Sequence, residues 1–113
     1  MNESAHIPDE LVELIARRFR VLGDPVRIRI LNHLRDAELS VGQLTELIGS
    51  SQQNVSKHLG VLLDASVVRR RKVANQSLYS IRDDMVYKLC TEVCGSLQRQ
   101  LTELGSLLEG MES

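Results

Sequence analysis

One short stretch, SSQQNVSKHLGVLLD at residues 50–64, carries side chains suited to reading the edges of nucleic-acid bases. At helical spacing one side has amides, a hydroxyl, one cation and a glycine but no carboxylate: Gln52, Gln53, Ser56, Lys57 and Gly60. The opposite side is apolar, with Val55, Leu59, Leu62 and Leu63. Because an amide can donate to and accept from adenine in the major groove, the stretch predicts a helix that enters a DNA groove.

The elements around this stretch predict a helix-turn-helix. In LSVGQLTELIG (39–49), Ser40 followed by Gln43 forms a capping box, and Gly49 is well placed to end the helix in a left-handed conformation. The next helix begins at once, with Ser50 or Ser51 as its cap and Gln53 or Asn54 at its third position. Two short capped helices joined by a glycine-containing turn favour this motif, while an ordinary antiparallel pair in a small bundle is the alternative.

A basic hairpin is expected next, in VVRRRKVANQSLYSI (67–81). This segment is rich in β-branched residues and breaks at residues 74–76, where Asn75 is the residue expected to take positive φ. Four consecutive cations lie on the first strand: Arg69, Arg70, Arg71 and Lys72. Because side chains alternate along a strand, at most half of them point one way, and those would contact phosphates, adding affinity more than specificity.

The distribution of charge agrees with a nucleic-acid partner although the net charge is −1. Residues 51–82 carry six Lys and Arg against Asp64 alone, whereas residues 1–50 and 83–113 are each net acidic. A localised basic patch is the usual footprint of a DNA-binding surface. Aromatic residues make up only 3% of the 113 residues, which argues against a protein that stacks single-stranded bases.

The remaining elements predict a dimer. A flexible tail over residues 1–8 is expected to precede a first helix over 9–22. Asp24 is the expected cap of a second helix that starts at Pro25. A long terminal helix is expected over about 84–109. A domain of this size cannot cover the apolar stripe of the terminal helix, so a second copy is its expected partner; a long helix lying across its own core is the alternative. The residues expected at the dimer contact are Leu11, Ile15, Val86, Cys90, Val93, Leu97, Leu101, Leu104 and Leu108.

Neither an enzyme nor a membrane protein is indicated. Ser56 and His58 are two apart on a helix and do not face each other, and no glycine-rich phosphate loop or HExxH pattern is present. His58 lies off the amide-bearing side, as either a phosphate contact or a packing residue. No apolar run approaches the length of a membrane span, and two cysteines do not make a disulfide framework, so a reducing cytoplasm is expected.

Cys90 and Cys94 share one face of the terminal helix and leave two alternatives open. They are either small buried hydrophobes or a thiol sensor that binds a soft metal ion or is oxidised. Two thiols per chain fall short of a three- or four-sulfur site unless the partner contributes. No cofactor is certain, and an effector that involves no cysteine chemistry is equally open.

The order of elements resembles the ArsR/SmtB family of winged helix-turn-helix repressors. The resemblance rests on LGDPVRIRILNHL (22–34), ELSVGQLTELIGSSQQNVSKHLGVLLDASVV (38–68) and RRRKVANQSLYSI (69–81). It implies a cytoplasmic homodimer that binds an inverted-repeat operator and releases it when a signal is sensed. Two departures concern the metal sites of the family. The Cys-Val-Cys triplet that forms a thiolate site in some members reads Ser40-Val41-Gly42 here, so that site is absent. The site that other members build from Asp and His on the terminal helix is absent too, because this helix has Asp83 and Asp84 but no histidine.

The sequence therefore predicts a mainly α protein with a small β-hairpin, a winged helix-turn-helix over residues 9–113 that regulates transcription by binding duplex DNA. The residues expected at the DNA are Ser51, Gln52, Gln53, Asn54, Ser56, Lys57, His58, Arg69, Arg70, Arg71, Lys72 and Asn75. The alternative is a protein-interaction module, or a dimeric soft-metal or thiol-binding protein, without specific DNA readout.

Overall fold

The computed structural model describes residues 6–112, and its architecture confirms the expected winged helix-turn-helix. The elements follow the chain as α1 (Asp9–Leu22), α2 (Pro25–His33), β1 (Leu39–Ser40), α3 (Val41–Ile48), α4 (Gln52–Asp64), β2 (Val68–Val73), β3 (Gln76–Ile81) and α5 (Met85–Glu112). The chain divides into one compact unit up to Asp83 and a second from Asp84 onward. Most of the tail expected over residues 1–8 lies outside the described residues.

The helix ends form where the local sequence predicts them. Asp24 caps α2 by accepting hydrogen bonds from the backbone N–H groups of Val26 and Arg27. The capping box of α3 is complete, since Ser40 Oγ accepts from Gln43 N at 3.2 Å and Gln43 Oε1 accepts from Ser40 N at 2.9 Å. Gly49 ends α3 at φ 77°, in the left-handed region that favours glycine. These signals act within a few residues, so α3 and α4 have defined bounds before they pack.

The hairpin belongs to a three-stranded antiparallel sheet with strand order β1-β3-β2. The short strand β1, which pairs Leu39 with Tyr79 and Ser40 with Leu78, was not expected from the sequence. A two-residue connection joins β2 and β3, and Ala74 takes the positive φ of 58°. The expectation that Asn75 would do so is therefore wrong. Alanine in this region carries a steric cost of about 1–2 kcal/mol.

The core of the first unit lies between α2, α3, α4 and the base of the sheet. Leu44 of α3 and Leu62 of α4 have no exposed surface, and Leu59 has 1%. Val67 and Val68, at the entry to β2, are buried against the same elements of this unit. Because α4 buries one side in this core, its other side is held facing outward.

Apolar side chains remain exposed along α1 and along α5. On α1 they include Leu11, Ile15 and Phe19, of which Phe19 is 54% exposed. On α5 exposed side chains recur over most of its length: Val93, Leu97, Leu101, Leu104, Leu107, Leu108 and Met111. Val86 differs from the expectation of an exposed apolar residue, because it has no exposed surface. No helix in the described part of the chain is both long and apolar enough to span a membrane.

Candidate nucleic-acid interface

The outward side of α4 carries the polar side chains that the sequence predicts. Gln52, Gln53, Ser56, Lys57 and Gly60 are all exposed. The opposite side is buried through Val55, Leu59 and Leu62, with Leu63 half-buried. None of these five is acidic, so a phosphate backbone approaching over residues 52–60 meets donors and one cation; the exposed Asp64, one turn beyond Gly60, ends the helix on the same side. Hereafter these five residues are called the α4 outer face.

The N-terminus of α4 is organised by three neighbouring polar residues. Ser51 is the N-cap and its Oγ accepts from Asn54 N at 3.1 Å. Asn54 Nδ2 in turn donates to Ser50 Oγ at 2.9 Å. Of the two caps that the sequence left open, Ser51 is therefore the one used, and Asn54 is at the third position. Asn54 is half-buried and held by these bonds, whereas Ser51 stays exposed beside Gln52.

Gly60 has no heavy atom within 4 Å of the place where a Cβ would stand. It lies in the interior of α4, where glycine costs about 0.5–1 kcal/mol relative to alanine. Neither packing nor backbone conformation in the chain therefore requires glycine here. A close approach of the helix backbone to another molecule is a physical reason for it, and Gly60 lies on the α4 outer face.

His58 is a packing residue, which corrects its inclusion among the expected DNA contacts. The residue is 8% exposed, and its Nδ1 lies 3.9 Å from Asp24 Oδ1, too far for a hydrogen bond. Burial raises the pKa of the Asp24 carboxyl. The hydrogen bonds from the backbone N–H groups of Arg27 and Val26, together with the nearby charges of His58 and Arg27, outweigh burial and hold that pKa below its usual value. The ring thus connects α4 to the N-terminus of α2 and faces away from the α4 outer face.

The hairpin cations are all exposed, but they are not equivalent. Arg71 forms a bidentate pair with Glu38, with Nε 2.8 Å from Oε2 and Nη2 2.7 Å from Oε1. This hydrogen-bonded pair holds the pKa of the Glu38 carboxyl below its usual value. Within the described residues, Arg69, Arg70 and Lys72 have no ion pair at 4.0 Å or less. Arg71 therefore differs from the expectation that it would be available to phosphate; Asn75 lies exposed at the hairpin tip.

Glu38 is the residue of this region that sequence reasoning missed. It immediately precedes β1, and Arg71 lies 33 positions further along the chain. No spacing rule links residues so far apart. The sequence offered only a weak signal, an acid immediately before the short pair Leu39–Ser40 in a protein whose later hairpin carries four cations.

The two cysteines lie on α5, half-buried at Cys90 and exposed at Cys94. Burial raises the pKa of the Cys90 thiol, which makes its thiolate scarcer. Among the residues described, no group of three or more His, Cys, Asp or Glu side chains is placed to hold a metal ion. One chain alone therefore presents two sulfur ligands, and a three- or four-sulfur site requires sulfur from a second chain.

Known proteins resemble this chain in sequence and in fold. A family model described as a helix-turn-helix domain matches residues 22–71. The HTH-type transcriptional regulator KmtR of Mycobacterium tuberculosis is 36% identical over 83 residues, which are 74% of this chain and 64% of KmtR. The chain thus matches less than two thirds of the length of that relative. The arsenical resistance operon repressor of Bacillus subtilis is 31% identical over 74% of this chain and 80% of its own length.

A third relative is matched over nearly its whole length. The uncharacterized HTH-type transcriptional regulator Rv0081 of M. tuberculosis is 35% identical over 106 residues, covering 93% of each protein. Its crystal structure superposes on this chain with a TM-score of 0.76 and 36% identity, over 85% of this chain and 97% of that one. This chain is therefore similar to Rv0081 both in sequence and in fold.

Proposed function

This chain belongs to the ArsR/SmtB family of winged helix-turn-helix transcriptional repressors, and we propose that it regulates transcription by placing α4 in the major groove of operator DNA. The observation that carries the proposal is the α4 outer face, whose five residues are exposed, rich in donors and without an acid from Gln52 to Gly60; the exposed Asp64 stands beyond them, at the last residue of the helix. An ordinary surface helix mixes acids with bases. The alternative of an interaction module without DNA readout leaves this composition unexplained.

Base recognition is assigned to the amides at the start of α4. Gln52 and Gln53 are exposed there, and a glutamine amide matches the donor and acceptor that adenine presents in the major groove. Ser56 and Lys57 lie one turn further, within reach of base or phosphate. Ser51, at the N-terminus of α4, is placed to bind a phosphate with the free N–H groups of the first turn.

Phosphate contacts are assigned to the hairpin. Arg69, Arg70 and Lys72 are exposed cations without an ion pair among the described residues, and Asn75 is at the tip. Such contacts position a protein on the duplex and add affinity without reading sequence. We assign to Arg71 a separate role, because its guanidinium is already engaged by Glu38.

A homodimer is the proposed binding species. The exposed apolar side chains of α1 and of α5 are unusual for a monomer in water, since each helix leaves a row of them uncovered. A second copy covers such faces with the same residues on both sides of a two-fold axis. A two-fold dimer reads an inverted repeat, with half-sites roughly 34–36 Å apart. As a regulator of chromosomal DNA, it is assigned to the cytoplasm.

The test of DNA recognition is fluorescence anisotropy with duplexes that carry inverted repeats and with random duplex. Affinity is expected to fall on the order of 10³–10⁵-fold between about 50 and 200 mM salt. Gln53→Ala is expected to relax base preference by about 1–3 kcal/mol. Gln100→Ala removes an exposed amide from α5 instead and is expected to leave preference unchanged. Binding to duplex that is no tighter than to an acidic protein would overturn the proposal.

The proposed signal is thiol chemistry at Cys90 and Cys94, either oxidation or capture of a soft metal ion. Cys94 is exposed on α5, while Cys90 is half-buried with its pKa raised by burial, so reagents are expected to modify Cys94 first. With two sulfurs per chain, a metal site requires the partner in the dimer. Oxidant and soft metals are expected to release DNA from the wild type and not from Cys90→Ser, Cys94→Ser. A wild type that ignores both would identify the cysteines as packing residues.

A further inference from the structure

The ion pair between Glu38 and Arg71 is the feature of the interface that recognition of DNA does not require. Arg71 uses two donor atoms on the two oxygens of one carboxylate, a geometry that fixes the direction of its side chain. Both groups are partly exposed, at 60% for the Arg71 side chain and 32% for that of Glu38. The pair is therefore reachable by solvent and by an incoming phosphate.

The strand register divides the hairpin cations into two sets. Paired residues of antiparallel strands lie on one side of the sheet, so Arg70 shares a side with Tyr79, and Lys72 with Ser77. Arg69 and Arg71 lie on the opposite side. Glu38 contacts Arg71 there, and the charge of Arg69 also lowers the pKa of Glu38. One side of the hairpin thus has two cations offset by an acid, and the other has two cations with no acid paired to them.

A carboxylate and a phosphate compete for the same guanidinium. Glu38 already binds the Nε and Nη2 edge of Arg71, so a phosphate must either displace the carboxylate or use the remaining Nη1 donors close to it. Releasing them would also leave the Glu38 carboxylate facing a negatively charged backbone. While Glu38 is ionised, Arg71 is therefore a weaker phosphate ligand than a hairpin cation without such a pair.

We propose that Glu38 is a positioning residue that holds Arg71 on the sheet, keeps it from the phosphate backbone and so lowers sequence-independent affinity for DNA. The inference rests on the proposed function. Phosphate contacts of the hairpin then come from Arg70 and Lys72, while the charge of Arg69 is partly offset by the carboxylate of Glu38. Because sequence-independent binding competes with the operator, limiting it raises the ratio of specific to non-specific affinity.

The test measures the salt dependence of binding to random duplex. Glu38→Gln removes the charge and keeps the size, freeing Arg71 for one added phosphate contact per chain. Two contacts per dimer steepen the slope of log affinity against log salt by about 1.8. The gain in affinity over wild type is then about 12-fold larger at 50 mM than at 200 mM salt. Arg70→Gln is expected to flatten the slope by about the same amount.

Two controls separate this role from a general change in charge. Asp36→Asn removes an exposed acid from the same loop and is expected to leave the slope unchanged, because Asp36, unlike Glu38, has no ion pair to the hairpin among the described residues. The double variant Glu38→Gln, Arg71→Gln is expected to keep the wild-type slope. A flatter slope in the double variant would mean that Arg71 contacts phosphate in the wild type, which overturns the inference.

The outcomes also distinguish this inference from the proposed function. A wild type that does not bind duplex DNA overturns both. A wild type that binds with a steep salt slope, while Glu38→Gln has the same slope, overturns the inference alone. Equal steepening by Asp36→Asn and Glu38→Gln likewise overturns it, since the effect would then come from net charge and not from the release of Arg71.

Discussion

Gly60→Ala is expected to stabilise the fold and to weaken DNA binding, two effects of opposite sign from one methyl group. A Cβ at this position meets no heavy atom within 4 Å, so the added methyl causes no clash in the free protein. Replacing glycine by alanine in a helix interior contributes about 0.5–1 kcal/mol to the free energy of unfolding. For a chain of this size that raises the Tm by about 2–4 °C.

The same methyl stands on the α4 outer face, where the helix backbone is proposed to approach the duplex. It is expected to displace the helix and cost about 1–3 kcal/mol per half-site, roughly 5- to 150-fold for one half-site and about 25- to 20,000-fold for a dimer on both. Urea unfolding and anisotropy on the same preparations measure the two effects. Gly95→Ala in the interior of α5, where a Cβ meets only the flexible end of Arg99 at 3.5 Å and lies off the apolar stripe, is the matched control and should stabilise without weakening DNA binding.

Two results would refute this reasoning. If Gly60→Ala binds operator DNA as tightly as wild type, the backbone of α4 does not approach the duplex at residue 60. If Gly60→Ala lowers the free energy of unfolding, the position is not the open one described. Loss of affinity in both glycine variants would point to the assembly and not to the α4 outer face.

Three further predictions concern the scaffold that holds this face. Asp24→Ala is expected to cost about 0.5–2 kcal/mol by removing the cap of α2, and Asp24→Asn less. Because the pKa of Asp24 is lowered in the folded state, wild type should have a higher free energy of unfolding than Asp24→Asn above the ordinary carboxyl pKa of 3.8. This difference should be lost as pH falls through the lowered pKa, and urea unfolding at neutral and acid pH measures it. Leu44→Ala is expected to lower the free energy of unfolding by about 2–5 kcal/mol, whereas Leu47→Ala, at an exposed position, should lower it by less than about 0.5 kcal/mol. Equal losses in denaturant unfolding would contradict the burial of Leu44. Ala74→Gly is expected to raise the Tm by removing a steric cost of about 1 kcal/mol; a matching gain from Asn75→Gly would mean that the turn is not the one described.

Local signals made the helix-turn-helix predictable. The capping box at Ser40 and Gln43, and the left-handed Gly49, depend on atoms within a few residues of one another, and they formed as expected. The polar side of α4 was readable for the same reason, because helical periodicity alone puts Gln53 and Lys57 on one side and Leu59 on the other.

Contacts between distant parts of the chain were not predictable. Nothing near Glu38 in the sequence indicates that its carboxylate meets Arg71, 33 residues away, or that the strand beside it joins the hairpin. His58 had two equal readings, and its burial depends on where α4 packs.

The amino-acid sequence alone determined the helix ends, the basic hairpin and the outward composition of α4, because propensity, capping and periodicity are properties of neighbouring residues. The tertiary structure decided which cation of the hairpin is already paired, which residue of the turn takes positive φ and that His58 is buried. These depend on which elements pack together. A side chain is engaged, strained or covered only once the distant partner has been brought to it, and no local pattern carries that information.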